Sequence, residues 1–315
     1  MRDVSLEEAA SILRRGGLVA FPTETVYGLG ADATQPAAVR AIFEAKGRPP
    51  SHPLILHLRG AEAMDALAAA VPPAARRLAD TLWPGPLTLV VKKSAAVLPE
   101  VTGGRDTVGL RVPAHPVALA LLRALDRPIA APSANRFGAV SPTSAEHVRA
   151  DLGGADVALL DGGPCAVGLE STIVDVTSGV PTILRAGGLP RETLEAVLGA
   201  EVLDGTRGEA RAPGMLASHY APRARVVALA PAEIEAWLGP PRGNFVLLSR
   251  RARPLPPGGR LVRLPEDDAA LARDLYALLR RVDAEGAPLV AVELPDPSGL
   301  GWAIADRLRR AAAPR

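Results

Sequence analysis

The feature that most constrains this chain is its rhythm. Short apolar runs of β type alternate with Ala- and Leu-rich stretches of helical spacing over most of its length. The runs predict strands at 18–21, 54–58, 87–92, 107–112, 128–131, 157–160, 172–176 and 182–185. The spacing predicts helices at 36–45, capped by Thr34, and at 116–125, 144–152 and 191–198. In the helix after Thr34, Val39, Ile42 and Phe43 form one stripe at helical period, the mark of a buried face. Alternation of this kind implies the α/β class, a sheet with helices packed on it.

The rhythm breaks at 201–223, where Gly and Pro are frequent and apolar pairs few. A second α/β rhythm follows, with strands expected at 226–229, 245–248, 261–264 and 289–294. Helices are expected there at 232–238, 268–282 and 304–310, with 253–259 a loop. The plan is a larger domain over 1–200, a linker over 201–223 and a smaller α/β domain over 224–315, within the usual domain sizes. Gly205, Gly208 and Gly214 make the linker mobile enough to act as a lid. At the N-terminus, Ser5 followed by Glu8 reads as a capping box opening an amphipathic helix, not as a signal core.

Composition narrows the function. Basic residues exceed acidic ones by only 36 to 34, and aromatics are 3%. With the excess dispersed along the chain, a passive nucleic-acid binder living on counterion release is disfavoured, as is a base-stacking surface. Cys165 is the only cysteine, which excludes an intrachain disulfide and multi-cysteine metal sites and suits a reducing cytoplasm. No apolar run approaches the ~18 residues that span a bilayer.

Six segments carry polar residues at strand ends. In Gly17–Gly30, a buried strand runs into a turn with Thr23, Glu24, Thr25 and Tyr27, which suits a small polar ligand or simply a capped turn. In 46–57, Lys46 and Arg48 follow a helix and precede a strand bearing His57. The two cations could grip phosphates or merely complement the helix dipole. In 107–115, Arg111 stands between Leu110 and Val112. A half-buried Arg there needs an anion, from the protein or, by a slight preference, from a ligand. Segment 130–141 offers small residues and hydroxyls, segment 168–175 places Ser171 at a strand entry, and segment 183–187 ends a strand in Arg185. Together these read as one pocket for an anionic substrate. There is no Walker A loop, Rossmann glycine fingerprint, nucleophile elbow or paired-His metal motif.

The segments PTETVYGLG, KGRPPSHPLILH, TVGLRVPAHP, APSAN, LESTIVD and ILRAG, in this order and spacing, resemble the YrdC-type threonylcarbamoyl-AMP synthases. The later HYAP, with a second α/β domain behind it, is similar to the long two-domain form of that family. The resemblance implies a twisted open mixed sheet with helices around a large cationic cavity, followed by a smaller Rossmann-like α/β domain. It implies a cytoplasmic nucleotidyltransferase that joins L-threonine, bicarbonate and ATP into L-threonylcarbamoyladenylate and pyrophosphate. A tRNA threonylcarbamoyl transferase would then carry the group to an adenosine beside the anticodon. Direct tRNA binding is left open.

Carried over residue by residue, the threonine site would use Thr25, His57, Arg111, the backbone of Ala131, and Ser171. The ATP site would use Arg48, His52, Thr107, Ser133, Ser141, Arg185 and, closing from the linker, Tyr220. Lys46, Arg48 and Arg185 would stabilise the triphosphate and departing pyrophosphate, with Mg²⁺ accompanying ATP. Tyr27 would line the cavity. Many relatives carry Asn where this chain has His52. No general base stands out, and Cys165 is given no role. The rival readings are an RNA-binding module and another carbamoyl-handling enzyme on the same fold. The second usually carries zinc-finger modules, for which this chain lacks the cysteines.

Overall fold

The computed structural model describes residues 1–206, 212–215, 219–240 and 243–314. The chain divides into two compact units. The first comprises Met1–Phe137 and Ser141–Met215, the second Gly138–Val140 and Leu216–Arg315.

The first unit is built on strands β1 (Arg2–Asp3), β2 (Val19–Phe21), β3 (Gly28–Asp32), β4 (Ile55–His57), β5 (Leu87–Lys92) and β6 (Thr107–Arg111). They are followed by β7 (Ile129–Ala130), β8 (Ala158–Leu159), β9 (Thr172–Asp175), β10 (Thr182–Arg185) and β11 (Leu203–Asp204). These form one mixed sheet in the order β1-β8-β2-β3-β7-β4-β6-β5-β9-β10-β11. The helices Leu6–Arg14 and Pro116–Leu125 bury Ala9, Leu13, Leu121 and Leu122 against Val19, Phe21 and Ile129 of the sheet. Ser5 caps the first helix as expected: its Oγ accepts from Glu8 N at 3.2 Å, and Ser5 N donates to Glu8 Oε2 at 2.9 Å.

Two local expectations are corrected. Thr34 does not cap the helix Pro36–Lys46; its hydroxyl donates to Asp32 Oδ1 at 2.7 Å, and Gln35 takes the cap position. The buried Asp32 carboxylate draws Thr34 backwards, and it also collects Gln35 Nε2 and Arg127 Nη1. Residues 28–32, Gly-Leu-Gly-Ala-Asp, form a central strand where the sequence reading places none. Pairing with β2 on one side and β7 on the other supplies what intrinsic propensity does not.

The stretch expected to be a linker belongs to both units. Through Met215 it stays with the first. β11 pairs in parallel with β10, and Ala212 and Met215 pack against Ile55, Val90, Ile173 and Leu184. Gly205 is held there by its N–H, which donates to the Ile183 carbonyl at 2.8 Å, whereas Gly208 lies outside the described residues.

The second unit is a parallel sheet of β12 (Arg225–Leu229), β13 (Phe245–Ser249), β14 (Gly259–Arg263) and β15 (Leu289–Glu293), ordered β12-β15-β13-β14. Helices Asp268–Ala284 and Gly299–Ala312 cover it. Both helices end later than their apolar periodicity indicates, at Ala284 and Ala312, and the second also begins earlier, at Gly299.

Candidate functional site

Strands β4 and β6 run in parallel with His57 and Arg111 in register, which puts an imidazole beside a guanidinium. Both are 4% exposed. Arg111 Nη2 donates to Glu24 Oε1 at 2.7 Å and to Thr25 Oγ1 at 2.9 Å, and Nε donates to the Gly85 carbonyl at 3.3 Å. The anion facing Arg111 in this structure is therefore a protein carboxylate, where the sequence leaned to a ligand. A buried cation without such a partner would cost several kcal/mol, about 3–5 when one member of a pair is removed.

The turn that delivers Glu24 and Thr25 is organised by Thr23. Its hydroxyl donates to the Val26 carbonyl at 2.6 Å and accepts from Thr25 N and Val26 N, each at 3.2 Å. Below it, the Tyr27 hydroxyl lies 2.8 Å from both Asp161 Oδ1 and the Gly163 carbonyl. Burial pushes that phenol well above its ordinary pKa, so Tyr27 serves as a neutral tie. Burial likewise pushes the Cys165 thiol up to about 12, which leaves it protonated and no nucleophile. His57 is held down to about 3, first by burial and then by Arg111, and is neutral at physiological pH. Its Nδ1 and the Oε2 of Glu24 are buried and make no hydrogen bond to the described residues.

A second cluster lies across β5, β9 and β10. Ser171 Oγ is 2.8 Å from Thr88 Oγ1, and Arg185 grips the Ser171 carbonyl with Nε at 3.1 Å and Nη2 at 2.9 Å. Arg185 Nη2 also donates to Ser171 Oγ at 3.0 Å, and Nη1 donates to the Pro213 carbonyl at 3.0 Å. Gly187 is required behind this grip: a Cβ there would sit 2.4 Å from the backbone of Glu170, Ser171 and Thr172.

A third cluster forms where the helix Pro36–Lys46 ends in left-handed Gly47, at φ 63°. Lys46 Nζ donates to the carbonyls of Ser133 and Asn135, so it pins the loop that carries Ser133. Burial and then Arg48 hold its ammonium well below the usual lysine range. Arg48, 8% exposed, donates from Nη2 to the Pro53 carbonyl at 2.9 Å. His52 is partly exposed, packs on Phe137 at 5.4 Å between ring centres, and is lowered by burial and then Arg48. Ser141 donates to Glu170 Oε1 at 2.6 Å. Ala131 commits its N–H to the Ile55 carbonyl at 3.0 Å, which leaves its carbonyl as the group to offer. Thr107 opens β6, four residues and about 13 Å from Arg111.

The structure thus joins Thr25 to Arg111, places His57 beside them, joins Ser171 to Arg185, and joins Lys46 to the Ser133 loop. Tyr220 lies in the second unit, where it stacks on Tyr276 at 5.9 Å under the Arg307 guanidinium at 4.9 Å. Three participants carried no separate assignment from the sequence: Glu24, Thr88 and Glu170. An acid in an otherwise hydroxyl-rich turn was the signal for Glu24. Thr88 stands in an apolar strand and Glu170 beside a strand entry, positions with no distinguishing pattern.

Residues 11–187 match the Sua5/YciO/YrdC family model, described as telomere recombination. This chain belongs to the Sua5/YciO/YrdC family. Residues 189–313 match a second model, the C-terminal domain of threonylcarbamoyl-AMP synthase, so the chain has the two-domain organisation of Sua5. It is 43% identical to the threonylcarbamoyl-AMP synthase of Pyrococcus abyssi, over 98% of this chain and 94% of that one. It is 39% identical to the threonylcarbamoyl-AMP synthase of Bacillus subtilis, over 99% and 94%. Among solved structures it resembles P. abyssi Sua5 complexed with L-threonine, with a TM-score of 0.89, 42% identity and coverage of 98% and 94%. No helix among the described residues is long and apolar enough to cross a membrane.

Proposed function

We propose that this chain is an L-threonylcarbamoyladenylate synthase, which makes threonylcarbamoyl-AMP and pyrophosphate from L-threonine, bicarbonate and ATP. Its product would be handed to a tRNA threonylcarbamoyl transferase for modification next to the anticodon. The observation that carries this reading is the end-to-end likeness to a Sua5 solved with L-threonine.

The residues suit the chemistry in two steps. The ammonium of bound threonine first gives up a proton. The neutral amine then attacks carbon dioxide, formed from bicarbonate with loss of water, and sheds a second proton to give the carbamate, whose carboxylate attacks the α-phosphorus of ATP. The bond from that phosphorus to the bridging oxygen breaks, and pyrophosphate leaves with the electron pair. The threonine carboxylate would sit on Arg111, whose Nη1 donates to none of the described residues. Neutral His57 offers a bare Nδ1 to the threonine hydroxyl. Thr25, Ser171 and the Ala131 carbonyl complete the contacts. A buried site of this kind shields the carbamate from water.

Adenylyl transfer asks mainly for positioning and charge neutralisation. Lys46, Arg48 and Arg185 would supply positive charge to the triphosphate and to departing pyrophosphate. His52, Thr107, Ser133 and Ser141 would surround the nucleotide. Mg²⁺ enters as part of that substrate, held by its phosphates. Among the described residues no group of three or more His, Cys, Asp or Glu could hold a metal ion.

The test is pyrophosphate release from ATP with and without threonine and bicarbonate. Release that requires both co-substrates is expected. Release indifferent to threonine, or none with all three present, would overturn the proposal.

A further inference from the structure

The pair Glu24–Arg111 is buried, and its two members are joined at one point only: Glu24 Oε1 meets Arg111 Nη2 at 2.7 Å. One atom is left over on each side. Glu24 Oε2 is buried and accepts from none of the described residues, although Glu24 is 7% exposed. Arg111 Nη1 donates to none of them. A buried carboxylate oxygen without a donor is unfavourable, and the deficit is removed by a ligand that brings N–H groups.

A free α-amino acid carries the complementary pair of charges on two groups bonded to the same carbon. Its carboxylate satisfies a guanidinium, and its ammonium satisfies a carboxylate. We propose that Glu24 is the acceptor for the α-ammonium group of the bound amino acid, so that Arg111 and Glu24 form a two-point site for the zwitterion. This rests on threonine being the substrate and adds how the site distinguishes an amino acid from a hydroxy acid of the same shape. Thr25 stiffens the arrangement, since its hydroxyl accepts from the same Nη2 at 2.9 Å and lies 2.8 Å from Thr23 Oγ1.

The experiment compares two ligands on two proteins. L-Threonine and (R)-3-hydroxybutanoate, which lacks only the amino group, are titrated onto the full chain and onto Glu24→Gln, by calorimetry or by ligand-observed NMR where affinity is millimolar. Thermal melting of the variant reports its folding independently of either ligand. Glu24→Gln should weaken threonine by about 10- to 100-fold, the range for a hydrogen bond to a charged group. The same substitution should leave the deamino ligand within about threefold or tighten it, because a like charge is removed beside its carboxylate. Glu24→Asp, which keeps the charge on a shorter arm, should show the same selectivity with a smaller loss and serves if Glu24→Gln melts early. Equal weakening of both ligands would mean that Glu24 only positions Arg111, and unchanged threonine affinity would remove it from the site; either result overturns the proposal. Failure of the unsubstituted chain to bind threonine at all would instead overturn the functional reading, and this inference with it.

Discussion

Arg111 and Lys46 are equally deep in the first unit, at 4% exposure each, yet their partners differ in kind. Arg111 faces a carboxylate, Glu24, at 2.7 Å. Lys46 faces the carbonyls of Ser133 and Asn135, which satisfy N–H groups without cancelling charge. The first arrangement is a neutral pair that can recognise a small ligand through the atoms it leaves over. The second buries a cation beside Arg48 with two carbonyls and no carboxylate bonded to it, an arrangement that an incoming anion would complete. On the proposed function, the pair at the end of β6 would serve a zwitterion and the cation at the end of the helix Pro36–Lys46 a polyphosphate.

The largest effect that could break this comparison is on stability. Arg111→Ala strands Glu24 as a buried unpaired charge and should destabilise the fold by about 3–5 kcal/mol while abolishing threonine binding. Lys46→Met leaves only two carbonyls without a donor and should cost less, about 1–3 kcal/mol. Denaturant titration of both variants decides the order. Equal losses would mean that the Glu24 contact contributes no more than a carbonyl contact.

His57 sharpens the same point, because it feels Arg111 across one register position. Its folded pKa is held down to about 3 from an ordinary value of 6.5, so the unfolded chain binds the proton more tightly. Stability from this group is fully present above pH 6.5 and is lost as pH falls from there towards 3. The slope is at most about 1.4 kcal/mol per pH unit. His57→Leu should flatten that part of the stability curve, measured by denaturant midpoints from about pH 7 down to about 4. An unchanged slope would show that other buried groups govern acid sensitivity.

The sequence shows Arg111 clearly, because an arginine between Leu110 and Val112 in an apolar strand has few explanations. It does not show Glu24 as its partner: the two are 87 positions apart, and only the Thr23 turn brings them together. The strands β5 and β10 are legible to the residue from their apolar runs. β3 is not, because Gly28, Gly30 and Asp32 are poor strand formers held in place by neighbours on both sides. The boundary of the first unit is misread for a related reason. Residues 201–215 look like a linker by composition, yet they supply β11 and two core contacts, Ala212 and Met215. The order of six motifs indicates the chemistry well before alternation of strands and helices does, since many α/β folds share that rhythm.

The smallest effect is also the most direct probe of Lys46. Burial and then Arg48 depress its pKa, whereas a bound triphosphate adds the anion that its carbonyl partners lack and raises the pKa again. Between those two values, nucleotide binding must take up a proton, so affinity should rise as pH falls through that window. Calorimetry of ATP binding in buffers of different ionisation enthalpy should report uptake of up to about one proton, and Lys46→Met should remove that part of it. If Lys46→Met leaves proton uptake unchanged, Lys46 is a structural tie for the Ser133 loop and not a phosphate ligand, and the contrast with Arg111 reduces to a difference in packing.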